Sequence, residues 1–376
     1  MAEESALDLR DLRLEMHRRA ATWRSVDTTV AMLEETDRRV LLGVPLPDPD
    51  EREQIIAQSA SLAETAGGGA GPTAFGNGAG AVTGITASFD ARNVSGSSYV
   101  TPIRDQASCG SCVAFGTLAT LETTAAFQRG QPGLKLDLSE QQLFFVHGPA
   151  TGASCSNGWW PEHAFTACRD QGVTFEDYMP YQPGGGGTVN PDWPNRLAKL
   201  TGFQTHTGNV AAMKQHIASH GAVSACFIVF QDFFSYGGGV YRHVSGSQAG
   251  GHCVSLIGFD DAQQCWIGKN SWGSGWGEQG FFRIGYGECG IESWRVHGAD
   301  YVNLRMRVNA LIRGLWSNES PDNAWTYLDN LGWARLAYAA PGANLSMLTE
   351  LTSARLRNQP ISGFHDNGQL TETYVF

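Results

Sequence analysis

The chain has 376 residues, of which 42% are hydrophobic and 17% charged, and this composition predicts a folded globular protein rather than a disordered one. The formal net charge of −11 argues against nucleic acid as a partner. No apolar run approaches the ~20 residues of a membrane span, and the N-terminus shows no secretory signal. Eight cysteines allow disulfides without requiring them, so these features leave the cellular location open.

Residues 1–66 have the pattern of a charged, helical segment. Leu9, Leu12 and Met16 fall on one face of a first helix, and a second helix is predicted over about residues 50–63. This segment is either an ordinary helical cap or a part that is removed from the body.

Residues 67–84 are rich in glycine, which predicts a flexible linker between the helical segment and a body that begins at residue 85. Exposed loops of small residues are preferred sites of proteolytic cleavage. The order of segment, linker and body therefore favours a removable N-terminal segment.

A turn of small residues between Gln106 and Ser111 leads into a helix, which is predicted to run to about Phe127 with one buried face. Cys112 lies in its first turn, where unpaired N–H groups and the helix dipole favour an anion. A thiol held there loses its proton more easily, and the thiolate is the nucleophilic form. Cys112 is therefore a candidate nucleophile.

Three interpretations of Cys112 compete. The first is a structural helix with incidental cysteines, and the second is a redox pair with Cys109, which has the C-x-x-C spacing. A redox pair calls for an apolar strand before the motif, whereas residues 99–105 contain a proline and two charged residues. The third is a protease nucleophile, which needs a distant histidine and an asparagine or aspartate to orient it.

Candidate partners for this nucleophile occur late in the chain. His252 begins an apolar strand 140 residues after the cysteine, and Asn270 opens the block Asn-Ser-Trp-Gly-Ser-Gly-Trp-Gly. The glycines allow tight turns, and Trp272 can shield a hydrogen bond between His252 and Asn270 from water. Asp260 and Asp261 are alternative orienting residues, but they lack these tryptophan-rich surroundings.

The segments around Cys112, His252 and Asn270, together with Leu138–Leu143, resemble those of papain-like cysteine proteases, and the resemblance spans about residues 89–293. It implies an α+β, two-lobed fold, with a helical lobe followed by a β-barrel-like lobe.

The resemblance also implies the roles of the site residues within a peptidase domain over residues 85–304. Cys112 attacks the peptide bond, and His252 acts as base and acid. Asn270 orients the imidazole, and Gln106 contributes to the oxyanion hole. The expected partners are peptide or protein substrates, and no metal or organic cofactor is implied.

Residues 1–66 would then be an inhibitory pro-segment that covers the cleft between Cys112 and His252, short like those of bacterial members. Residues 22–46 are the best candidates for the cleft itself. The segment carries an excess of acidic residues, so we expect acid, or an outside protease, to release it.

Five residues are expected to bind substrate along the family's cleft: Gly158, Trp159, Gly251, Trp272 and Trp294. Trp159 is expected to place a large side chain where a bare backbone normally meets the peptide. Trp294 falls at the base of the main specificity pocket and predicts small side chains one position before the scissile residue.

Cys109 and Cys155 resemble the family's disulfide between the nucleophile loop and the neighbouring segment. The bridge would close a loop of 46 residues and stabilise the fold by roughly 3–5 kcal/mol, less any strain.

Residues 305–376 extend beyond the family's usual end and predict a small α+β module whose partner is unknown. Its expected elements are a strand over 305–312, helices over 320–332 and 345–356, a hairpin turn at 366–368 and a last strand over 371–376. Its three tryptophans, Trp316, Trp325 and Trp333, are expected to form its core rather than a docking surface.

The sequence thus predicts a cysteine endopeptidase made as a zymogen, since nothing in it resembles the histidine-bearing occluding loop of the exopeptidase branch. Two alternatives stay open. One is a weak or inactive relative that binds peptides, favoured by Trp159 and by Val113, which stands where the family usually has tryptophan. The other is a transpeptidase or ligase that uses the same Cys–His pair. The disulfide-like cysteine pattern favours an exported protein.

Overall fold

The fold is taken from a computed structural model, which describes residues 8–66, 86–320, 323–337, 342–366 and 369–375. The expected linker over residues 67–84 lies outside the described residues, as do Asn367 and Gly368 of the expected hairpin turn.

The described residues form seven α-helices: α1 (Leu9–Arg18), α2 (Glu35–Val40), α3 (Pro49–Ala66), α4 (Cys112–Gln128), α5 (Pro161–Asp170), α6 (Val210–His220) and α7 (Ala343–Leu356). Shorter helical turns cover Gln142–His147, Gly148–Thr151, Glu176–Tyr178, Trp193–Asn195 and Gln231–Ser235. None of the helices in these ranges combines the length and apolar character needed to cross a membrane.

The strands are β1 (Trp23–Ser25), β2 (Ser88–Asp90), β3 (Val173–Thr174), β4 (Arg196–Leu200), β5 (Phe203–Thr205), β6 (Val223–Phe230), β7 (Tyr236–Tyr241), β8 (Gln248–Asp260), β9 (Cys265–Lys269), β10 (Phe281–Gly285), β11 (Val296–Ala299), β12 (Val302–Ala310), β13 (Ile312–Ser317), β14 (Ala324–Leu328), β15 (Gly332–Leu336), β16 (Ile361–Asp366) and β17 (Gln369–Tyr374).

Two sheets organise these strands. The first has the order β1-β7-β10-β9-β8-β6-β11-β5, with β2 also paired to β8. The second has the order β13-β14-β15-β17-β16-β12-β4-β3. The helices around α4 and the first sheet form the two lobes, so the expected α+β, two-lobed architecture is confirmed.

The helix α4 is buried on every side from Cys112 to Ala126, so the single buried face expected for it is wrong. It packs between β8 of the strand-rich lobe and α5 of the helical lobe, which leaves no side for solvent. Two of its buried threonines are satisfied within the helix: the Thr120 hydroxyl donates to the Gly116 carbonyl (2.9 Å), and the Thr123 hydroxyl to the Ala119 carbonyl (2.8 Å).

The N-terminal segment contributes side chains to the core of the strand-rich lobe. Leu12, Met16 and Trp23 are buried in one cluster with Phe233 and Trp276. The strand β1 pairs antiparallel with β7, so the segment is bound through backbone hydrogen bonds as well as apolar contacts.

The helix expected over residues 320–332 is wrong, because the chain there forms β14 and β15. Ala324, Thr326 and Leu328 point inward and alternate with exposed or half-buried aromatic residues, which is the two-residue period of a strand. The helix expected near the end of the chain is present as α7.

The C-terminal module shares a sheet with the peptidase region. The strand β12 runs across residues 304–305, where the two parts were expected to meet. It pairs with β4 on one side and with β16 on the other. The module is therefore joined to the body through backbone hydrogen bonds.

Candidate active site

Cys112 is the first residue of α4, as the sequence predicts. The hydroxyl of the preceding Ser111 is hydrogen-bonded to that of Tyr181 (2.7 Å). The Sγ of Cys112 accepts the backbone N–H of Gly43 at 3.3 Å. Burial, together with the nearby thiol of Cys253, raises the pKa of Cys112, which opposes the acidifying effect of the helix N-terminus.

His252 lies on β8, and its Nε2–H donates to the Oδ1 of Asn270 at 2.7 Å. The backbone N–H of Ser271 also donates to that oxygen, at 2.8 Å, and so fixes the orientation of the carboxamide. The ring of Trp272 lies over the imidazole, with centroids 4.7 Å apart. Burial lowers the pKa of His252 to about 4, against the raising effects of Asn270 and of the Leu41 backbone.

The side chain of Gln106 is fixed at both ends. Its Oε1 accepts from the Ser271 hydroxyl at 2.7 Å, and its Nε2 donates to the Cys109 carbonyl at 2.8 Å. The same Nε2 also donates to the Leu41 carbonyl at 3.0 Å. A carbonyl of the N-terminal segment thus occupies the amide donor expected to serve the oxyanion hole.

The two alternative orienting residues lie elsewhere. Asp261 accepts from the ammonium of Lys214 at 2.6 Å, and Asp260 accepts the N–H of Ala262 in a turn. Neither is hydrogen-bonded to His252.

The structure contains the expected disulfide between Cys109 and Cys155, whose Cα atoms are 4.6 Å apart. Because Cys109 is bonded to Cys155, it is not a redox partner of Cys112, whose thiol is free. The N–H of Gly110 donates to the Cys155 carbonyl at 3.2 Å, so the bridge holds the nucleophile loop against one wall of the cleft.

Residues 41–44 of the N-terminal segment fill the cleft, and Gly43 is its narrowest point. A Cβ on Gly43 would lie 1.9 Å from the Gly110 carbonyl oxygen, and a Cβ on Gly158 would lie 2.0 Å from the Gly43 carbonyl oxygen. Gly158 also has a φ of +69°, which side chains rarely adopt. Only glycine permits the backbone at Gly43 to lie this close to the backbone at Gly110 and at Gly158.

Trp159 does not place its side chain in the cleft, and the sequence-based expectation is wrong on this point. Its indole is buried, donates from Nε1 to the Thr151 hydroxyl at 2.9 Å and packs edge-on against Phe144. Its backbone N–H instead donates to the Gly43 carbonyl at 2.8 Å, so a bare backbone does meet the peptide here.

Gly251 and Trp294 form the opposite wall. The N–H of Val44 donates to the Gly251 carbonyl at 3.0 Å. A Cβ on Gly251 would lie 2.6 Å from Cη2 of Trp294, so the indole lies directly behind this glycine. Val44 and Trp294 are buried in one apolar cluster.

Sequence reasoning missed two residues that support the site. Ser271 holds Gln106 through its hydroxyl, and its position within the Asn-Ser-Trp block was a signal that could have identified it. The hydroxyl of Tyr181 bonds to Ser111 and donates to the Gln106 carbonyl at 2.9 Å. Tyr181 lies on a distant loop, and no local pattern marks it.

Comparison with known proteins defines the class. Residues 85–299, more than half of the chain, match the model of the papain family cysteine proteases. "Cathepsin B-like CP2" of Giardia intestinalis is 32% identical over 209 residues, covering 52% of this chain and 68% of that protein. The "gut-specific cysteine proteinase" of Caenorhabditis elegans is 31% identical over 242 residues, covering 57% and 73%. The protein is therefore a cysteine peptidase.

The chain belongs to the papain family. Among solved structures, bromelain from Ananas comosus in complex with the E64 inhibitor has 28% identity and a TM-score of 0.50, covering 58% of this chain and 100% of that one. The proCathepsin B S9 structure from Trypanosoma congolense has 20% identity and a TM-score of 0.59, covering 78% and 98%. That likeness concerns the fold alone. The expected likeness to bacterial members receives no support from these proteins.

Proposed function

We propose that the chain is the proform of a cysteine endopeptidase whose reaction is carried out by Cys112, His252, Asn270 and Gln106. Residues 1–66 are its inhibitory pro-segment, residues 67–84 the processing linker, residues 85–304 the peptidase and residues 305–376 an accessory module. Peptides and proteins are the substrates.

One observation supports inhibition above all others: the segment is hydrogen-bonded to the nucleophile and to the oxyanion-hole amide through two different residues. The Gly43 N–H lies 3.3 Å from the Cys112 Sγ, while the carbonyl bound by Gln106 belongs to Leu41, two residues earlier. A thiolate attacks a carbonyl whose oxygen lies in the oxyanion hole, and here the carbonyl bound by Gln106 is two residues away from the group that contacts the thiol. The segment therefore fills the cleft without being cleaved there.

Burial in the closed cleft opposes ionisation of the reacting pair, although the segment's own hydrogen bonds, from the Gly43 N–H to Cys112 and between Leu41 and His252, act in the opposite direction. Burial raises the pKa of Cys112 and lowers that of His252 to about 4, so both shifts oppose the thiolate–imidazolium pair. Removal of residues 41–44 admits water to both side chains and leaves the helix N-terminus to favour the thiolate.

In the open enzyme, the Cys112 thiolate adds to the substrate carbonyl, and Gln106 donates to the oxygen that becomes negative. The C–N bond breaks as His252 gives its proton to the leaving amine. His252 then takes a proton from water, which hydrolyses the thioester and restores the thiol. Asn270 holds the imidazole in the orientation for both transfers.

Acid release through ion pairs across the interface gains no support. In the described residues, the ion pairs of the segment join its own side chains, such as Arg13 with Asp27 and Arg39 with Glu35. Contacts with the body are apolar or hydrogen-bonded, as with the Ser59 hydroxyl that donates to Glu292 at 2.6 Å. Cleavage in the linker by an outside protease is therefore the proposed trigger.

The walls around Val44 indicate the side chain that the main pocket accepts. Trp294 is buried behind Gly251 and shortens this pocket, and Val44 fills the space that remains. We infer a preference for small or β-branched residues one position before the scissile residue.

An exported location accords with the Cys109–Cys155 disulfide, because such bonds persist in oxidising compartments. Of the alternatives, the inactive relative loses the argument from Trp159, whose side chain is buried away from the peptide. No observation favours a transpeptidase or ligase.

The catalytic roles are tested by single substitutions. Each variant is cut in the linker before its activity is measured. Cys112→Ala should abolish hydrolysis of a peptide library, and Gln106→Ala should lower the rate about 10²–10³-fold. Asp260→Ala is the matched control and should leave hydrolysis unchanged. Hydrolysis that survives Cys112→Ala in a pure preparation would overturn the proposal.

A further inference from the structure

The C-terminal module exposes aromatic rings that its core does not use. Trp333 is 51% exposed and Trp316 is 47% exposed, so the expectation that the tryptophans form the core is wrong. The core consists instead of aliphatic residues beneath β13–β15, including Leu328, Leu336 and Leu351. Neither exposed ring has a role in the peptidase reaction.

The outer face of β13–β15 presents these rings in two rows across the sheet. Strand pairing aligns Trp316, Trp325 and Arg335 in one row, and Gly314, Tyr327 and Trp333 in the next. We name these six residues the aromatic platform.

Within the aromatic platform, the Trp333 indole lies along the sheet rather than standing away from it. Trp333 is on β15, yet its Cη2 reaches to 3.2 Å from where a Cβ of Gly314 on β13 would be. The ring therefore spans the intervening strand β14, and the missing side chain of Gly314 makes room for it. One face of the indole rests on the sheet, and half of the side chain stays open to solvent.

Tyr327 stands beside this ring as a wall. The two ring centroids are 5.4 Å apart, and their planes meet at 77°. The Trp333 indole, which lies along the sheet, and the Tyr327 phenol, which stands at a steep angle to it, form a notch between them. This notch suits a compact, flat, apolar ring.

The platform presents polar groups beside its rings. The indole N–H groups of Trp316 and Trp333 are hydrogen-bond donors, and the Tyr327 hydroxyl can both donate and accept. The Trp325 N–H is held by the Asn323 side chain at 2.7 Å. A ligand complementary to this face brings carbonyl acceptors for the indole N–H groups.

The charge of the module argues against a polyanionic ligand. Residues 305–376 contain six arginines and six acidic residues, so their formal net charge is zero. Nucleic acids and anionic membranes depend on clustered positive charge, which this balance does not provide.

We propose that the aromatic platform binds a proline-rich peptide in the polyproline II conformation, with a proline ring in the notch between Trp333 and Tyr327. Proline has no N–H, and polyproline II leaves every carbonyl free, so such a peptide presents acceptors without donors. Aromatic surfaces dock this preformed conformation at low entropic cost. Sugars also stack on indoles, and the test therefore includes them as competing ligands.

The position of the platform connects binding there with the peptidase reaction. β13–β15 belong to the sheet that continues through β12 into β4 of the peptidase region. A protein held by a proline-rich segment would therefore be tethered to the peptidase, which raises its effective concentration at the cleft. The site is an exosite for substrates or for a localising partner with such a segment.

The test is calorimetric titration of the full chain with a ten-residue oligoproline. A Gly-Ser peptide of equal length and two hexasaccharides, one from a β-linked glucan and one from chitin, are titrated for comparison. Trp333→Ala and Tyr327→Ala should each weaken oligoproline binding at least about tenfold. Leu356→Ala, which removes an 84% exposed leucine at the end of α7, is the matched control and should change nothing.

Thermal unfolding identifies any variant that fails to fold. If one of the two aromatic variants, Trp333→Ala or Tyr327→Ala, does not fold, the binding measured for the other tests the proposal. Saturable oligoproline binding that both aromatic substitutions weaken supports the proposal. No oligoproline binding, binding of a hexasaccharide instead, or binding that both folded aromatic variants retain would overturn it.

Discussion

The backbone N–H of Gly43 lies 3.3 Å from the Sγ of Cys112. This contact joins the N-terminal segment to the nucleophile, and it depends on a residue without a side chain, because backbone atoms of Gly110 and Gly158 close on Gly43 from two sides.

Gly43→Ala should therefore activate the uncut chain. The new Cβ would lie 1.9 Å from the Gly110 carbonyl oxygen, and backbone cannot move aside as a flexible side chain can. We expect displacement of residues 41–44 and an increase of at least about tenfold in peptide hydrolysis by the full chain. Met32→Ala is the control, since Met32 belongs to the same segment and is exposed. An unchanged rate in a folded variant would count against this role of Gly43.

The disulfide should stabilise the fold without taking part in the chemistry. Replacing Cys109 and Cys155 together by alanine should lower the free energy of unfolding by roughly 3–5 kcal/mol, less any strain in the bridge, because the unfolded chain is no longer cross-linked over 46 residues. Denaturant unfolding measures this change. Alkylation of Cys112 after linker cleavage should persist, and its loss in a folded variant would show that the bridge also sets the nucleophile.

A histidine cluster should make the fold sensitive to acid. His216 and His220 stack with ring centroids 4.2 Å apart, and His206 lies 4.6 Å from His216. Burial, followed by the charges of His220 and His206, lowers the pKa of His216 to about 3, while its unfolded value is about 6.5. The unfolded state therefore binds more protons between these values, and stability falls as the pH drops from about 6.5 towards 3.

His216→Gln should flatten this acid limb of the stability curve, measured by denaturant unfolding at several pH values. His163→Gln is the control, because His163 is exposed on α5 and away from the cluster. A slope that His216→Gln leaves unchanged would refute the assignment. Asp300 is the acidic group that acts on His206 and His220, and Asp300→Asn should steepen the fall.

Trp294 should set the size of the side chain that the main pocket accepts. Trp294→Leu removes ring volume behind Gly251 while keeping an apolar residue in the cluster. In chain cut in the linker, we expect kcat/KM for peptides with Phe at this position to rise relative to Val. A wild-type preference for Phe or Leu would contradict the inference.

The catalytic residues could be predicted from the sequence because local blocks mark each of them. Cys112 starts a helix, His252 lies in an apolar strand, and Asn270 opens a distinctive glycine- and tryptophan-rich block. Their hydrogen bonds, such as that between His252 and Asn270, follow from those local structures.

Side-chain directions could not be predicted in the same way. Trp159 turns into the core because an isolated bridge between Ser154 and Gly158 sets the chain direction before it, and that bridge has no local signal. The strands β14 and β15 were mistaken for a helix because Ser320-Pro321 and Gly332 have the form of a helix start and stop. The alternation from Ala324 to Leu328 overrides those signals, since the inward residues pack under α7.

The central claim is that residues 1–66 keep Cys112 inactive by occupying the cleft. A specific protease site placed within residues 67–84 allows the folded chain to be cut after purification, without requiring the body to fold alone. Peptide hydrolysis is then compared at neutral pH in uncut chain, in cut chain and in cut chain from which the segment has been removed. We predict almost no hydrolysis before cutting and full hydrolysis once the segment is removed. Equal rates in all three preparations would contradict the account.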